Sequence, residues 1–162
     1  MSRAVAASVL FAISACSPQA EAPDKADVTR PGNPFFGSWK TETAQVAPWW
    51  DGAGASPEMD PDFQSTPIVF AAGKSSGPKL VTCDAPVYAV SLVTPEGLFE
   101  GNLPHPAIDA SRLGFSAGEI QSLNLSCTED KKDVSLDFAM ASDDTILLGL
   151  DSMIYTLKRQ PS

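Results

Sequence analysis

Histidine is nearly absent from this 162-residue chain, which has one, His105, set between Pro104 and Pro106. Flanking prolines put it in an extended loop. A histidine base needs a nucleophile and an orienting acid beside it. No Gly-x-Ser-x-Gly elbow or comparable setting accompanies His105, which reads as an exposed loop residue. Basic residues are also scarce, with 11 Lys and Arg against 20 Asp and Glu and a formal net charge of −9. With no basic stripe and no phosphate-cradling glycine loop, nucleic acid finds no complementary surface. Long apolar runs are missing too. Ala4 to Ala15 is an uncharged stretch of 12 apolar or small residues, short of the ~20 that cross a bilayer core. No internal repeat or coiled-coil heptad is visible. Cysteine is rare and odd in number: Cys16, Cys83 and Cys127.

What is present at the N-terminus accounts for the odd cysteine. Arg3 supplies a positive charge, the short apolar run follows, and small residues close it, which is the layout of an export signal. Ile13-Ser14-Ala15-Cys16 resembles the lipobox of bacterial lipoproteins. The resemblance implies cleavage before Cys16, so that residues 1–15 are a signal peptide, with acyl chains on Cys16 that anchor the protein in a membrane. One chain binds marginally, at about 0.8 kcal/mol per buried CH₂, whereas two or three hold stably. In the lipoprotein family an aspartate after the cysteine marks inner-membrane retention. This sequence has Ser17 there, which implies the outer membrane, facing the periplasm.

Residues 16–34 are rich in Pro, Ala and charge and contain no aromatic residue, isoleucine or leucine. Such a segment cannot bury enough apolar surface to order itself, and it reads as a tether. Residues 35–162 then form a single domain, a size able to bury a real core. In an oxidising compartment Cys83 and Cys127 are expected to form a disulfide. A metal pair needs close ligand spacing or a Cys/His cluster, and these cysteines are far apart in a chain with one histidine.

Within the domain, nine short β-like runs are separated by turn signals. They lie at Trp39 and over residues 67–71, 79–83, 87–93, 98–103, 122–127, 134–139, 145–150 and 153–158. Leu123, Leu125 and Cys127 alternate with Ser122, Asn124 and Ser126, and Val134, Leu136 and Phe138 oppose Ser135 and Asp137. That period of two belongs to a sheet with one buried and one wet face. The last four runs read as an antiparallel meander. Ser116 with Glu119 has capping-box spacing, and a single helical turn over 116–120 is the only helix expected. Between Ala47 and Thr66 the density of Pro and Gly excludes helical periodicity. The fold class is all-β: a small antiparallel barrel or strongly curved sheet of eight or nine strands.

Gly37-Ser38-Trp39 near the first strand and the closing Met153-Ile154-Tyr155-Thr156-Leu157-Lys158-Arg159 resemble lipocalin-like barrels and META-type bacterial envelope domains. That resemblance implies that Trp39 plugs one end of the barrel, with Arg159 stacked on it in a cation–π contact.

The most distinctive local feature is the acidic loop Trp49-Trp50-Asp51 through Phe63. Trp49, Trp50 and Asp51 form a candidate recognition loop, because exposed tryptophans suit sugar, lipid or protein surfaces. Pointing inward, one of the pair would instead anchor the loop on the core. Asp51, Glu58, Asp60 and Asp62 could offer oxygen to calcium, but their spacing does not match an EF-hand loop. No metal or cofactor is expected. The reading that follows is a lipid-anchored, non-catalytic envelope protein whose β domain binds an envelope protein or a small apolar or sugar ligand. An alternative is an inhibitor of a lysozyme-type cell-wall hydrolase, whose basic surface an acidic domain complements, although the Ser- and Gly-containing loop motif of such inhibitors is absent. A third is a hydrolase using paired carboxylates across a cleft.

Overall fold

The computed structural model describes residues 32–116, 118–129 and 132–161. The lipobox, Cys16 and the tether as far as Pro31 lie outside them. Eight strands form one antiparallel sheet: β1 (Gly37–Val46), β2 (Ile68–Ala71), β3 (Lys74–Ser76), β4 (Val87–Val93), β5 (Ile120–Glu129), β6 (Lys132–Ser142), β7 (Thr145–Leu150) and β8 (Met153–Arg159). Their order is β3-β2-β1-β8-β7-β6-β5-β4, and the sheet curls into a half-barrel. The meander of the last four strands is present as read. Its β7–β8 hairpin turns on Asp151 and Ser152, both with left-handed backbone (φ 48° and 62°), as a two-residue turn requires.

The alternation of side chains sorts the sheet into two cores. The concave side buries Trp39, Ile68, Phe70, Tyr88, Leu123, Leu125, Phe138, Ile146, Leu148, Tyr155 and Leu157. Aromatic rings meet there across the curl: Phe70 lies 5.0 Å from Phe138 and 6.0 Å from Tyr88, which comes from the far edge. Burial pushes the Tyr88 phenol above its ordinary range, and its hydroxyl donates to the Lys74 carbonyl, linking β4 to β3. On the opposite face, Ile120, Ala139, Leu147 and Ile154 are covered by Leu98, Phe99, Leu103, Ala110 and Phe115. Both faces are therefore dry over β7 and β8, while Ser122, Asn124, Ser126, Ser135 and Asp137 keep one face of β5 and β6 open to water, as the alternation reads.

The segments between the strands correct four expectations. Residues 98–103 are not a strand: 3₁₀ turns run from Pro95 to Gly101. The described residues of 116–120 form no helical turn: Gly118 adopts φ 114° and β5 starts at Ile120, while Ala117 lies outside the described residues. Instead α2 spans Pro106–Arg112, with the Asp109 carboxylate accepting from the His105 N–H at 2.9 Å. A second α-helix, α1 (Pro61–Ser65), stands inside the Pro-rich loop, capped by Asp60 and pinned by Phe63 stacked 5.0 Å from Tyr155. Each of the three begins on a proline, which costs no hydrogen bond at a helix start and presets φ. Residues 79–83 are also not a strand. Val81 and Thr82 N–H groups both donate to the Pro78 carbonyl in a turn, leaving Cys83 as an isolated bridge to Ser75. The strand there is the shorter β3.

Two ties close the curl. Cys83 and Cys127 are at disulfide-bonding distance, with Cα atoms 6.1 Å apart and a separation of 44 positions in sequence. The bond joins the segment beside β3 to β5, across the open side of the sheet. At the other tie, the Arg159 guanidinium carbon sits 4.1 Å over the Trp39 ring. It donates to the carbonyls of Phe36, Pro34 and Asp143. Trp39 Nε1 donates to the Phe35 carbonyl at 2.7 Å. Gly37, at φ 126°, leaves room for this: a Cβ there would lie 3.0 Å from Arg159 Nη1.

Arg159→Met keeps the stem but strips three carbonyls of a charged donor. It is expected to lower unfolding free energy by about 3 kcal/mol, read as a shift of the urea midpoint. Reducing the disulfide, or replacing both Cys83 and Cys127 by Ser, releases the unfolded chain from a closed loop. The expected loss is about 4 kcal/mol, measured by urea unfolding with and without reductant; an unchanged midpoint would show that the bridge constrains nothing.

Candidate functional site

On the convex face, beside the 3₁₀ segment, a groove of about 240 Å³ opens at the rim where β1 ends. Trp49 and Phe99 form its apolar wall, with ring centroids 5.5 Å apart. Glu100, Asn102, Ser135, Asp137 and Asp151 supply polar groups, and among the described residues no lysine or arginine lines it. The wall stands over β7 because that strand has a glycine there. A Cβ on Gly149 would fall 2.8 Å from Phe99 Cδ1 and 3.0 Å from Trp49 Cη2.

The backbone around the groove is unusual. Four described residues other than glycine have positive φ, and three of them line it: Phe99 (50°), Glu100 (60°) and Asp151 (48°). The Phe99–Glu100 pair is held by Asn102, whose backbone N–H and Nδ2 both donate to the Phe99 carbonyl, at 3.1 and 2.7 Å. Such a conformation costs ~1–3 kcal/mol per residue, and it is what swings the Phe99 ring onto the sheet and leaves Glu100 exposed at the lip.

The floor is set by pairing between β5 and β6. Asn124 faces Asp137 and Ser126 faces Ser135 in register. Asn124 Nδ2 donates to Asp137 Oδ1 and to Ser135 Oγ, both at 2.8 Å, and Ser126 Oγ donates to Asn124 Oδ1 at 2.7 Å. The four polar side chains form one cross-strand network that aims Asp137 into the groove. Acid catalysis near neutral pH asks for a carboxyl in an apolar pocket, yet Glu100 and Asp151 are exposed and Asp137 is only half-buried. The arrangement presents negative charge beside a flat apolar ring, which suits a cationic group better than bond cleavage.

Of the sequence-read loop, Trp49 is brought into this groove while Trp50 and Asp51 are not. Trp50 is half-buried outside the lining, with its N–H bonded to the Ala47 carbonyl. Asp51 is exposed, and its carboxylate accepts from the Ala53 N–H. The loop crosses the rim, resting Trp49 on the convex core and Phe63 in the concave one. Asp60 is committed to capping α1, and among the described residues no three His, Cys, Asp or Glu side chains gather as metal ligands. His105 is exposed at the start of α2. Sequence reading missed Phe99, Glu100, Asn102, Gly149 and Asp151. Only Asp137, on the polar side of an alternating run, carried a visible signal.

No protein-family model, curated protein or solved structure matches the chain. Among the described residues, no helix is long and apolar enough to cross a membrane.

Gly149→Ala is expected to push Trp49 and Phe99 off β7. The intrinsic fluorescence should shift red as Trp49 becomes more exposed, with a stability loss of roughly 1–3 kcal/mol. Unchanged emission and stability would mean that the wall does not depend on the missing side chain.

Proposed function

We propose that this chain is an exported lipoprotein, held at the outer membrane by acyl chains on Cys16, whose β domain binds a basic protein surface at the Trp49 groove without catalysing a reaction. The observation that carries the binding half is the lining itself: Trp49 and Phe99 beside Glu100, Asp137 and Asp151, with no lysine or arginine among the described residues that line the groove. The surroundings reinforce it. From Thr41 to Gly73 the chain has Glu42, Asp51, Glu58, Asp60 and Asp62 and no lysine or arginine, so the stretch that carries Trp49 has charge of one sign, which steers a basic partner inward. Aromatic rings fill the concave interior, which favours recognition on the outer surface over a ligand enclosed by the sheet. The same acidic rim favours, as a second reading, inhibition of a basic cell-wall hydrolase.

Lysozyme serves as a basic protein probe for both readings. The immobilised full chain should bind it at low salt and lose affinity as ionic strength rises. Trp49→Ala should weaken binding about 30-fold, as loss of a central tryptophan anchor does (~2 kcal/mol). Loss of lysozyme activity in the complex would favour the inhibitor; the absence of salt-sensitive binding to any basic protein overturns both. The anchor is checked separately. Cys16→Ala should abolish incorporation of labelled fatty acid and release the protein from membranes, and retention of both would overturn it.

A further inference from the structure

The two edges of the sheet are not alike. At one end β3 is covered, since Ser75 and Cys83 exchange a pair of backbone hydrogen bonds, each 2.9 Å. At the other end β4 pairs on one side with β5, in seven consecutive register pairs without a shift. Its other side has no strand partner among the described residues.

Soluble proteins blunt such an edge with charge, proline, a bulge or a covering segment. Val87-Tyr88-Ala89-Val90-Ser91-Leu92-Val93 has no charge, no proline and no glycine. Val87 is 66% exposed and Leu92 57%, the highest values among the exposed large apolar side chains of the described residues. In a chain with a net charge of −9, this strand is both the open edge and the uncharged one.

We infer that β4 pairs antiparallel with β4 of a second copy about a two-fold axis, joining two half-barrels through one continuous sheet. A second copy fits because the strand is complementary to itself. With Val90 on the axis, Val87 faces Val93, Tyr88 faces Leu92 and Ala89 faces Ser91. A charged strand would meet its own like charge in such a pair, and this one has none to meet. Because β3 is already covered, each copy offers one open edge, so the assembly closes at two instead of growing into a fibre. Two copies bring together like net charges of −9, which oppose association. Salt screens that repulsion, so dimerisation strengthens as ionic strength rises, opposite to the salt response of groove binding. The inference is independent of the groove reading.

Sedimentation of the full chain carrying Cys16→Ser, over a range of protein and salt concentrations, should show a monomer–dimer equilibrium that tightens with salt. Leu92→Lys should weaken it roughly tenfold or more, while the urea midpoint reports that the fold is kept. Val90→Cys should form a disulfide-linked dimer on mild oxidation, since paired residues on an axis have Cα atoms ~4.5–5.5 Å apart. Thr43→Cys, on an interior strand, should not. Should Leu92→Lys disturb folding, the Val90→Cys cross-link still locates the interface. A monomer under all conditions overturns the inference, as does a dimer untouched by Leu92→Lys that fails to cross-link at residue 90. A monomer that takes up an extended peptide along β4 assigns the edge to a different occupant and also overturns it.

Discussion

Arg159 on Trp39 is the contact on which the architecture turns. The sheet order places β1, from the start of the domain, beside β8, from its end. In the hydrogen-bonded order of the sheet, β2 and β3 reach the meander through β1. Whatever fixes β1 on β8 therefore fixes three strands at once. The guanidinium does this with means that water cannot easily replace: a stacked aromatic face and carbonyls drawn from Pro34, Phe36 and Asp143. Carbonyls left without this donor near the buried Trp39 would lose much of their compensation. Gly37 belongs to the same device, because no other residue combines its left-handed φ with clearance for the Arg159 head group.

With β1 on β8, the curl brings Tyr88 of β4 under Phe70 of β2 and the Cys83 segment onto β5. The concave core and the disulfide are thus consequences of one closure seen from two sides. The convex core has a different origin. Residues 94–119 connect β4 to β5, and they cross the sheet face on the way. Turns that start on Pro95 and Pro106 deliver Leu98, Phe99 and Ala110 onto Leu147 and Ile154. The groove is the rim of that cover, where the left-handed Phe99–Glu100 step and the Trp49 loop meet over Gly149.

Alternation made much of this sheet legible in advance. Periods of two over 122–127 and 134–139, with turn residues between later runs, are local properties that a strand cannot share with a helix. The same logic misplaced 98–103 and 79–83. Leu-Phe-Glu-Gly-Asn-Leu is compatible with a strand in isolation, and only the sheet face beneath it, together with the Asn102 bonds to Phe99, holds it left-handed. Val81 and Thr82 likewise have strand propensity, which the Pro78 carbonyl outcompetes. Prolines were read as helix breakers between 47 and 66 and as loop formers around His105. At the first position of a helix they are starters, and a sequence alone does not distinguish an interior position from a first one.

The chain by itself determined an acidic, mostly sheet domain and a cysteine pair suited to a bridge, because composition and periodicity are written in neighbouring residues; the meeting of Trp39 and Arg159 was implied only by resemblance to other barrels. Tertiary structure alone decided which tryptophan lines a groove, that Asp137 and Glu100 share it, that both faces of β7 and β8 are dry, and that one side of β4 has no strand partner among the described residues. Those are relations between residues some 40 to 100 positions apart, brought together by the closing of a curved sheet. No local pattern encodes the face on which a crossing segment will land.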